Sequence, residues 1–235
     1  MSPRARSRSR SRRARHSRYL LWLVAVAVAA FVAGGAGGFD QLRDLLAPPG
    51  GRATSDAGVD ADRARRMLAE LEVGEWASTA GYSRDRFAHW LTVDGCDVRQ
   101  RVLVRDGEGV ETDEECRAVA GTWYSPYDGV TLSDPAEVDI DHVVPLANAW
   151  RTGADRWDDD RRAAFANDLE RPQLRAVSAV ANRAKGDQDP SQWRPPERSY
   201  WCRYAHDWVA VKHHWGLRVT APEKQALADM LDTCG

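Results

Sequence analysis

The stretch from residue 137 to residue 186 constrains the fold most, because it predicts two strands and two helices in close succession. Val138 and Ile140 alternate with acidic residues, which is typical of a short strand with one buried face. Neighbouring side chains on a regular strand point to opposite faces. We therefore expect the chain to leave the strand at Asp141 and His142 if both are to serve one site, and Pro145 favours an irregular turn there.

The second half of this stretch predicts a helix, a strand and another helix. Residues 158–169 begin with acids, as the helix dipole favours. The acidic triplet 158–160 lacks the alternating spacing and the glycine of an EF-hand loop, so we interpret it as a charged first turn and not as a calcium site. Residues 174–177 are a strand candidate, and Ser178 is placed to cap a helix over Ala179–Lys185, which the following glycine ends.

The polar residues of these elements occur in an order that is typical of a known family. Asp141 and His142 come first, Asn167 follows, and the run 182–186 (NRAKG) places Asn182 and Lys185 on one helix face. This order resembles the ββα-metal fold of the HNH (His-Me finger) endonucleases, in the variant with Asn at the third position. Further runs resemble exported HNH-family proteins of actinobacteria, which are related to the C-terminal domain of GmrSD-type restriction enzymes: residues 121–128 (GTWYSPYD), 139–146 (DIDHVVPL), 187–190 (DQDP) and 207–212 (DWVAVK).

The resemblance runs from residue 81 to the end of the chain and implies an α+β fold. It implies a ββα-metal core at about residues 137–190, with inserted and flanking helices, inside a nuclease domain spanning 67–235. The implied activity is metal-dependent hydrolysis of phosphodiester bonds in a nucleic acid. DNA is the expected substrate, RNA is an alternative, and no obligate protein partner is evident.

The residue types fit this chemistry, because phosphodiester hydrolysis needs an activated water and neutralisation of charge on the phosphate. His142 is the predicted general base, since an imidazole titrates near neutral pH. Asp141 offers an anionic oxygen and Asn182 a neutral one. Two protein oxygens completed by waters and a phosphate oxygen suit Mg²⁺ (or Mn²⁺) better than Zn²⁺, which prefers nitrogen and sulfur.

Four further residues have predicted roles near this site. By the resemblance, Asn167 fastens the loop that holds His142 and does not touch the metal. Lys185 is placed to meet a phosphate, although an exposed lysine near a helix end is equally ordinary. Asp139 is either an acid behind the metal ligands or a solvated strand residue. Many family members carry Glu where this chain has Asn148, which predicts weaker metal binding here if that acid contributes to the site.

Four cysteines are expected to form disulfides, because none lies in a Cys-x-x-Cys pair typical of zinc sites. Sequence proximity favours Cys96–Cys116 and Cys202–Cys234 among the three connectivities. The first pair encloses residues 101–105, where valines alternate with charges as on a half-buried strand. The second would tie a helical hairpin: an aromatic stripe at helical spacing ends at Gly216, and residues 220–223 (TAPE) have the form of a capping box.

The amino-terminal third predicts export. Eight arginines and no acid lie within residues 1–18, and an uncharged apolar run over 19–33 follows. Residues 1–39 therefore have the form of a signal peptide or an N-terminal membrane anchor, in which residues 19–39 would be the anchoring segment. Residues 40–66 have the composition of a flexible linker. The protein is expected to be secreted or held at the outer face of the cytoplasmic membrane. Without the eight arginines the chain has 25 basic and 35 acidic residues, which excludes a broadly basic nucleic-acid-binding surface on the folded part.

Two other functional classes are compatible with this sequence. One is an exported binding module that retains the HNH fold without activity, and metal-dependent nicking of plasmid DNA would distinguish it from a nuclease. The other is a metal-dependent hydrolase of wall or protein substrates. No His-Glu-x-x-His or serine-centred motif supports that class.

Overall fold

A computed structural model describes residues 60–235, all of them within the compact unit Gly51–Gly235. The predicted signal or anchor over 1–39 and most of the predicted linker lie outside the described residues. Helix α1 begins at Ala61, inside the end of the predicted linker, and buries Ala64 completely. Asp60 caps this helix by accepting a hydrogen bond from the backbone N–H of Arg63. Within residues 60–235, no helix is both long and apolar enough to cross a membrane.

The fold is mixed α+β, with small antiparallel sheets among helices. The described helices are α1 (Ala61–Glu70), α2 (Val98–Asp106), α3 (Leu146–Thr152), α4 (Asp159–Ala166), α5 (Ala179–Lys185), α6 (Trp201–Trp215) and α7 (Ala221–Leu231), with short 3₁₀ turns at Arg84–Arg86, Pro135–Glu137, Ala154–Arg156 and Arg198–Tyr200. The strands are β1 (Thr92–Val93), β2 (Cys96–Asp97), β3 (Gly107–Thr112), β4 (Ala118–Ser125), β5 (Val130–Leu132), β6 (Val138–His142) and β7 (Leu174–Ser178). They form three sheets: β1-β2, β3-β4-β5 and β6-β7.

The antiparallel strands β6 and β7 and helix α5 form a ββα unit. Ile140 pairs with Ala176 in the antiparallel register, and α5 follows β7 directly. Ser178 caps α5 by accepting a hydrogen bond from the backbone N–H of Ala181, and Gly186 ends it with φ of 55°. The predicted second strand and its helix are therefore confirmed. The predicted helix at 158–169 is shorter than expected, because Asn167 already caps its end.

Strand β6 continues further than the sequence suggested. His142 still pairs with Leu174, so the prediction that the chain leaves the strand at Asp141 and His142 is wrong. The irregular stretch comes immediately afterwards, and Pro145 stands just before helix α3. The side chains of Asp141 and His142 consequently contact different parts of the protein, as expected for neighbours on a strand.

Two apolar clusters surround the ββα unit. The larger one packs the helices together and includes the fully buried side chains of Phe87, Phe165 and Trp208. The smaller one joins α2 and β4 to one face of the β6-β7 strand pair, with Trp123 and Ile140 among its members. The aromatic stripe of α6 is therefore core packing, as its helical spacing predicts.

The predicted strand at residues 101–105 is wrong, because this segment lies within helix α2. Asp97 caps the helix by accepting a hydrogen bond from the backbone N–H of Gln100. Val98 and Val102 are four residues apart and buried, whereas Val104 is 48% exposed. The apolar residues thus follow the helical period of the buried face, and the short alternation at 102–104 is coincidental.

Both disulfides are formed with the pairing that sequence proximity favours. Cys96–Cys116 joins strand β2 to the chain ahead of β4, and Cys202–Cys234 joins α6 to the segment after α7. The two C-terminal helices also end and begin where the sequence predicts. Gly216 ends α6 in the left-handed conformation, and Thr220 and Glu223 form a complete capping box for α7.

Candidate active site

A cavity of about 250 Å³ opens beside the end of strand β6. Four parts of the chain contribute to it: the segment before β1, the end of β6, the start of α3, and the end of α5. Its lining residues are Tyr82, Arg84, Ile140, Asp141, His142, Pro145, Leu146, Ala147, Asn182, Gly186 and Asp187. The structure therefore brings together the predicted base His142 and the predicted metal ligands Asp141 and Asn182.

His142 is held in one defined protonation state. Its Nε2 lies 2.9 Å from the backbone carbonyl of Ala166, and a carbonyl can only accept, so Nε2 carries the hydrogen. The lone pair is then on Nδ1, which has no hydrogen-bond partner within residues 60–235. Burial lowers the pKa of His142 to about 3, since the side chain is only 5% exposed and its charged form would lose hydration. The imidazole is therefore neutral at physiological pH and presents Nδ1 as a proton acceptor.

Asn167 positions a neighbouring segment and does not contact His142 itself. Its Oδ1 accepts a hydrogen bond from the N–H of Leu91 (3.0 Å), and its Nδ2 donates to the carbonyls of Ala88 (2.7 Å) and Ala163 (2.8 Å). This clamps residues 88–91 to the end of α4. The ring of Trp90, inside this segment, lies 5.5 Å from the ring of His142. Asn167 thus acts on the surroundings of His142 through a packed aromatic ring.

Lys185 is not the exposed residue that the sequence suggested. Its side chain is fully buried, and its Nζ donates to Asp141 Oδ1 (2.9 Å) and to the carbonyl of His142 (3.0 Å). Burial lowers the pKa of Lys185 and raises that of Asp141, while their mutual attraction opposes both shifts. Lys185 is therefore the internal countercharge of Asp141, and its buried ammonium is not placed to meet a substrate phosphate.

Tyr127 completes this buried network and was not among the predicted site residues. Its hydroxyl donates to Asp141 Oδ2 at 2.6 Å, so each carboxylate oxygen of Asp141 accepts one hydrogen bond from the protein. Burial raises the pKa of Tyr127 well above its ordinary value, which keeps the hydroxyl a donor. The run at 121–128 contained this tyrosine and carried a family resemblance, but nothing in the run predicts its contact with Asp141.

Asn182 is oriented by the acid that precedes Asp141 on the same strand face. Its Nδ2 donates to Asp139 Oδ2 at 3.0 Å. The amide oxygen is then left without a protein partner within residues 60–235. Asp139 is half-buried and does not line the cavity, so it supports Asn182 from behind.

The donor set at the cavity fits a hard cation that keeps most of its water. Within residues 60–235, no group of three or more His, Cys, Asp or Glu side chains is arranged to hold a metal ion. Asp141 and Asn182 do line the cavity, and each carboxylate oxygen of Asp141 retains a second lone pair beside its one hydrogen bond. Mg²⁺ commonly takes one or two protein oxygens and completes its shell with waters and phosphate oxygens. The residues present therefore fit Mg²⁺ through Asp141 and Asn182, with Lys185 already offsetting the charge of Asp141.

Asn148 lies away from these groups. It is fully buried in α3, it does not line the cavity, and neither polar atom of its amide has a hydrogen-bond partner in the described part of the chain. The structure does not bring it into contact with Asp141 or Asn182.

Comparisons with known proteins identify the family of this chain. Residues 104–230 match the family described as GmrSD restriction endonucleases, C-terminal domain. A protein of Arthroderma benhamiae described as an "Uncharacterized secreted protein" is 49% identical over 191 residues, which cover 81% of this chain and 94% of that protein. No solved structure matches the chain. The chain therefore belongs to the family of the C-terminal domain of GmrSD restriction endonucleases.

Proposed function

We propose that this protein is an HNH-type nuclease that hydrolyses phosphodiester bonds of DNA outside the cytoplasm with the help of Mg²⁺. The observation that supports this most strongly is the state of His142. A neutral histidine with a fixed tautomer lines a cavity together with Asp141 and Asn182. Membership of an endonuclease family makes phosphodiester hydrolysis the reaction class to test first.

In this mechanism, His142 acts as the general base. A water in the cavity donates a hydrogen bond to Nδ1, and its proton passes to Nδ1 as the water oxygen bonds to the phosphorus and the P–O bond to the departing oxygen breaks. The departing oxygen then takes a proton from solvent water. The imidazolium that forms keeps its Nε2–H bond to the Ala166 carbonyl, which stabilises the added charge. The phosphate brings negative charge close to the ring, and this raises the pKa of His142 from its low value in the substrate-free protein.

Asp141 and Asn182 would hold the cation in this proposal. When bound, Mg²⁺ supplies positive charge to a phosphate oxygen and to the departing oxygen. The protein's own contribution is to fix both ligands: Lys185 and Tyr127 lock the carboxylate of Asp141, and Asp139 locks the amide of Asn182.

Action outside the cytoplasm is supported by two independent observations. The protein has two disulfides, which form and persist in oxidising compartments. The Arthroderma benhamiae relative is described as secreted. The arginine-rich start and apolar run over residues 1–33 provide the export signal in this proposal.

The test is cleavage of plasmid DNA, linear single-stranded DNA and RNA by the purified full chain, with Mg²⁺, Mn²⁺ or EDTA. We expect metal-dependent nicking of plasmid by the wild type. His142→Ala should lower the maximal rate on the order of a hundredfold or more, the effect usual for a general base. Asn182→Ala should instead raise the Mg²⁺ concentration needed for half-maximal rate, because it removes a neutral ligand.

His214→Ala is the matched control, because His214 is exposed near the end of α6 and does not line the cavity. It should cleave at the wild-type rate. Cleavage of RNA alone would show that the substrate is RNA and not DNA. Binding of DNA without cleavage under any metal condition would contradict the nuclease proposal and favour an inactive binding module.

A further inference from the structure

The active-site cavity has one cationic group that the mechanism above does not use. Among the described residues, Arg84 is the one Lys or Arg side chain that lines the cavity, and Asp141 and Asp187 are the carboxylates that line it. A phosphodiester carries a negative charge that increases around phosphorus during attack by water. The sequence suggested Lys185 as the residue that meets the phosphate. Because Lys185 is buried against Asp141, its ammonium is not available to a substrate phosphate.

Arg84 is exposed, and its donors are largely unused. Its Nε lies 3.4 Å from Nε2 of His89, at the long end of hydrogen-bond distance, and it forms no ion pair within residues 60–235. Nearby arginines are occupied. Arg151 donates to Asp187 and lies over the ring of Trp76. A guanidinium has five N–H donors in a planar fork, so Arg84 has free donors suited to two phosphate oxygens.

The segment that carries Arg84 is attached to the core on both sides. Arg84 begins the 3₁₀ turn Arg84–Arg86, which Ser83 caps by accepting from the N–H of Asp85. Phe87 follows and is fully buried against Phe165. Asn167 then clamps residues 88–91 by the hydrogen bonds described above. The backbone at Arg84 is therefore ordered before substrate arrives, which reduces the entropy lost on binding.

We propose that Arg84 binds a non-bridging oxygen of the scissile phosphodiester and holds the phosphorus at the cavity near His142. This inference rests on the nuclease function proposed above and adds a substrate-binding residue to it. Arg84 precedes residue 104, where the family match begins, so the family comparison does not cover it. The assignment also gives Asn167 a physical role, because its clamp fixes the segment that presents Arg84.

The experiment compares Arg84→Gln and Arg84→Lys with a matched control in the purified full chain. Arg86→Gln is that control: Arg86 lies in the same turn, but it faces Asp159 and the ring of Trp150 and does not line the cavity. Two quantities are measured for each protein. One is kcat/KM for plasmid nicking with Mg²⁺, and the other is the salt dependence of binding to a fluorescent single-stranded oligonucleotide in EDTA.

We expect Arg84→Gln to lower kcat/KM by about 10- to 100-fold, as for loss of one charged donor at a reacting phosphate. The slope of log affinity against log salt concentration should fall by about 1, as for one lost phosphate contact. Arg84→Lys should restore the salt slope more fully than kcat/KM, because lysine keeps the charge and lacks the fork. Arg86→Gln should leave kcat/KM within about twofold of the wild type and should not change the salt slope.

The outcomes separate this inference from the function on which it rests. If the wild type nicks plasmid and Arg84→Gln does so equally well, the role of Arg84 is overturned and the nuclease function stands. Equal losses in Arg84→Gln and Arg86→Gln would also overturn it, since they indicate a general effect of surface charge. A wild-type protein that cleaves nothing overturns the nuclease function itself. Circular dichroism must show that each variant is folded, and Arg84→Lys provides a second variant should Arg84→Gln fail to fold.

Discussion

Replacing Lys185 by Met tests whether this lysine is an internal countercharge or a phosphate-binding residue. The ammonium is fully buried, and among residues 60–235 it is the one cation bonded to Asp141, which is itself 5% exposed. Methionine fills the space of the aliphatic chain and removes only the charge and its hydrogen bonds. The variant therefore leaves the Asp141 carboxylate buried with Tyr127 as its remaining partner.

The expected loss of stability follows from the cheapest way to relieve that buried charge. Asp141 can take up a proton, and for a carboxyl of ordinary pKa near 3.9 this costs about 4 kcal/mol at pH 7. Breaking a buried ion pair by removing one partner costs about 3–5 kcal/mol in other proteins, which agrees. A residue that merely met a phosphate at the surface would change the free energy of unfolding by about 0.5 kcal/mol or less.

The loss should depend on pH in a defined direction. In Lys185→Met the pKa of Asp141 in the folded state lies above its unfolded value. Such a group favours the folded state at low pH, and this contribution disappears as the pH rises through the folded pKa. The penalty should therefore be largest near pH 7 and fall to about 1 kcal/mol or less near pH 4, where protonation costs little.

Urea unfolding in EDTA between pH 4 and pH 8, followed by tryptophan fluorescence, measures this penalty. Arg183→Met is the matched control, because Arg183 is exposed on the same helix. The double variant Lys185→Met with Asp141→Asn should regain about 2 kcal/mol or more over the single variant, since no charge is left buried. A Lys185→Met protein as stable as Arg183→Met at pH 7, with no dependence on pH, would refute the countercharge role.

Two other predictions concern buried polar groups. The pKa of His142 is about 3 in the folded protein against about 6.5 unfolded, so its contribution to stability is complete above pH 6.5 and is lost as the pH falls towards 3. Between pH 7 and pH 5 the wild type should lose about 2 kcal/mol more than His142→Gln, measured by urea unfolding in EDTA; parallel curves would show that the imidazole is solvated. Asn148→Leu should raise the free energy of unfolding by about 1 kcal/mol, because it replaces a buried amide that has no partner within residues 60–235 by an apolar group of similar size. A loss of stability in that variant would indicate that a buried water or another group satisfies the amide.

The elements that the sequence predicted correctly are those whose ends are set by local chemistry. Ser178 caps α5, Gly216 ends α6, and Thr220 with Glu223 opens α7, each through contacts only a few residues long. Residues 101–105 were predicted wrongly for the opposite reason. Their strand-like alternation is too short to decide, and the buried face of α2 is set by packing against a distant part of the chain.

The sequence predicted which residue types form the site, but it did not predict the hydrogen bonds and the burial that hold them in place. Asp141, His142 and Asn182 do line one cavity. The burial of Lys185 depends on tertiary packing around α5, and local helix geometry alone would leave a lysine at a helix end in solvent. The contact between Tyr127 and Asp141 spans 14 residues and two elements, and no spacing rule predicts it. No pattern in the sequence indicated that Arg84 would line the cavity.

The buried ion pair links the stability of the domain to the geometry of its site. Lys185 bonds the side chain of Asp141 and the backbone carbonyl of His142 at once, so one ammonium joins helix α5 to the last two residues of β6. A charge held this way contributes little net stability when it is paired, but it strongly disfavours any packing that would separate the partners.

The chain has three lysines, and two of them are fully buried in ion pairs, Lys185 with Asp141 and Lys212 with Glu223. The third lysine, Lys224, donates to the carbonyls of Ala69 and Leu71 and does not line the active-site cavity. Contacts with a polyanion at that cavity consequently depend on arginine, and the arginine available there is Arg84.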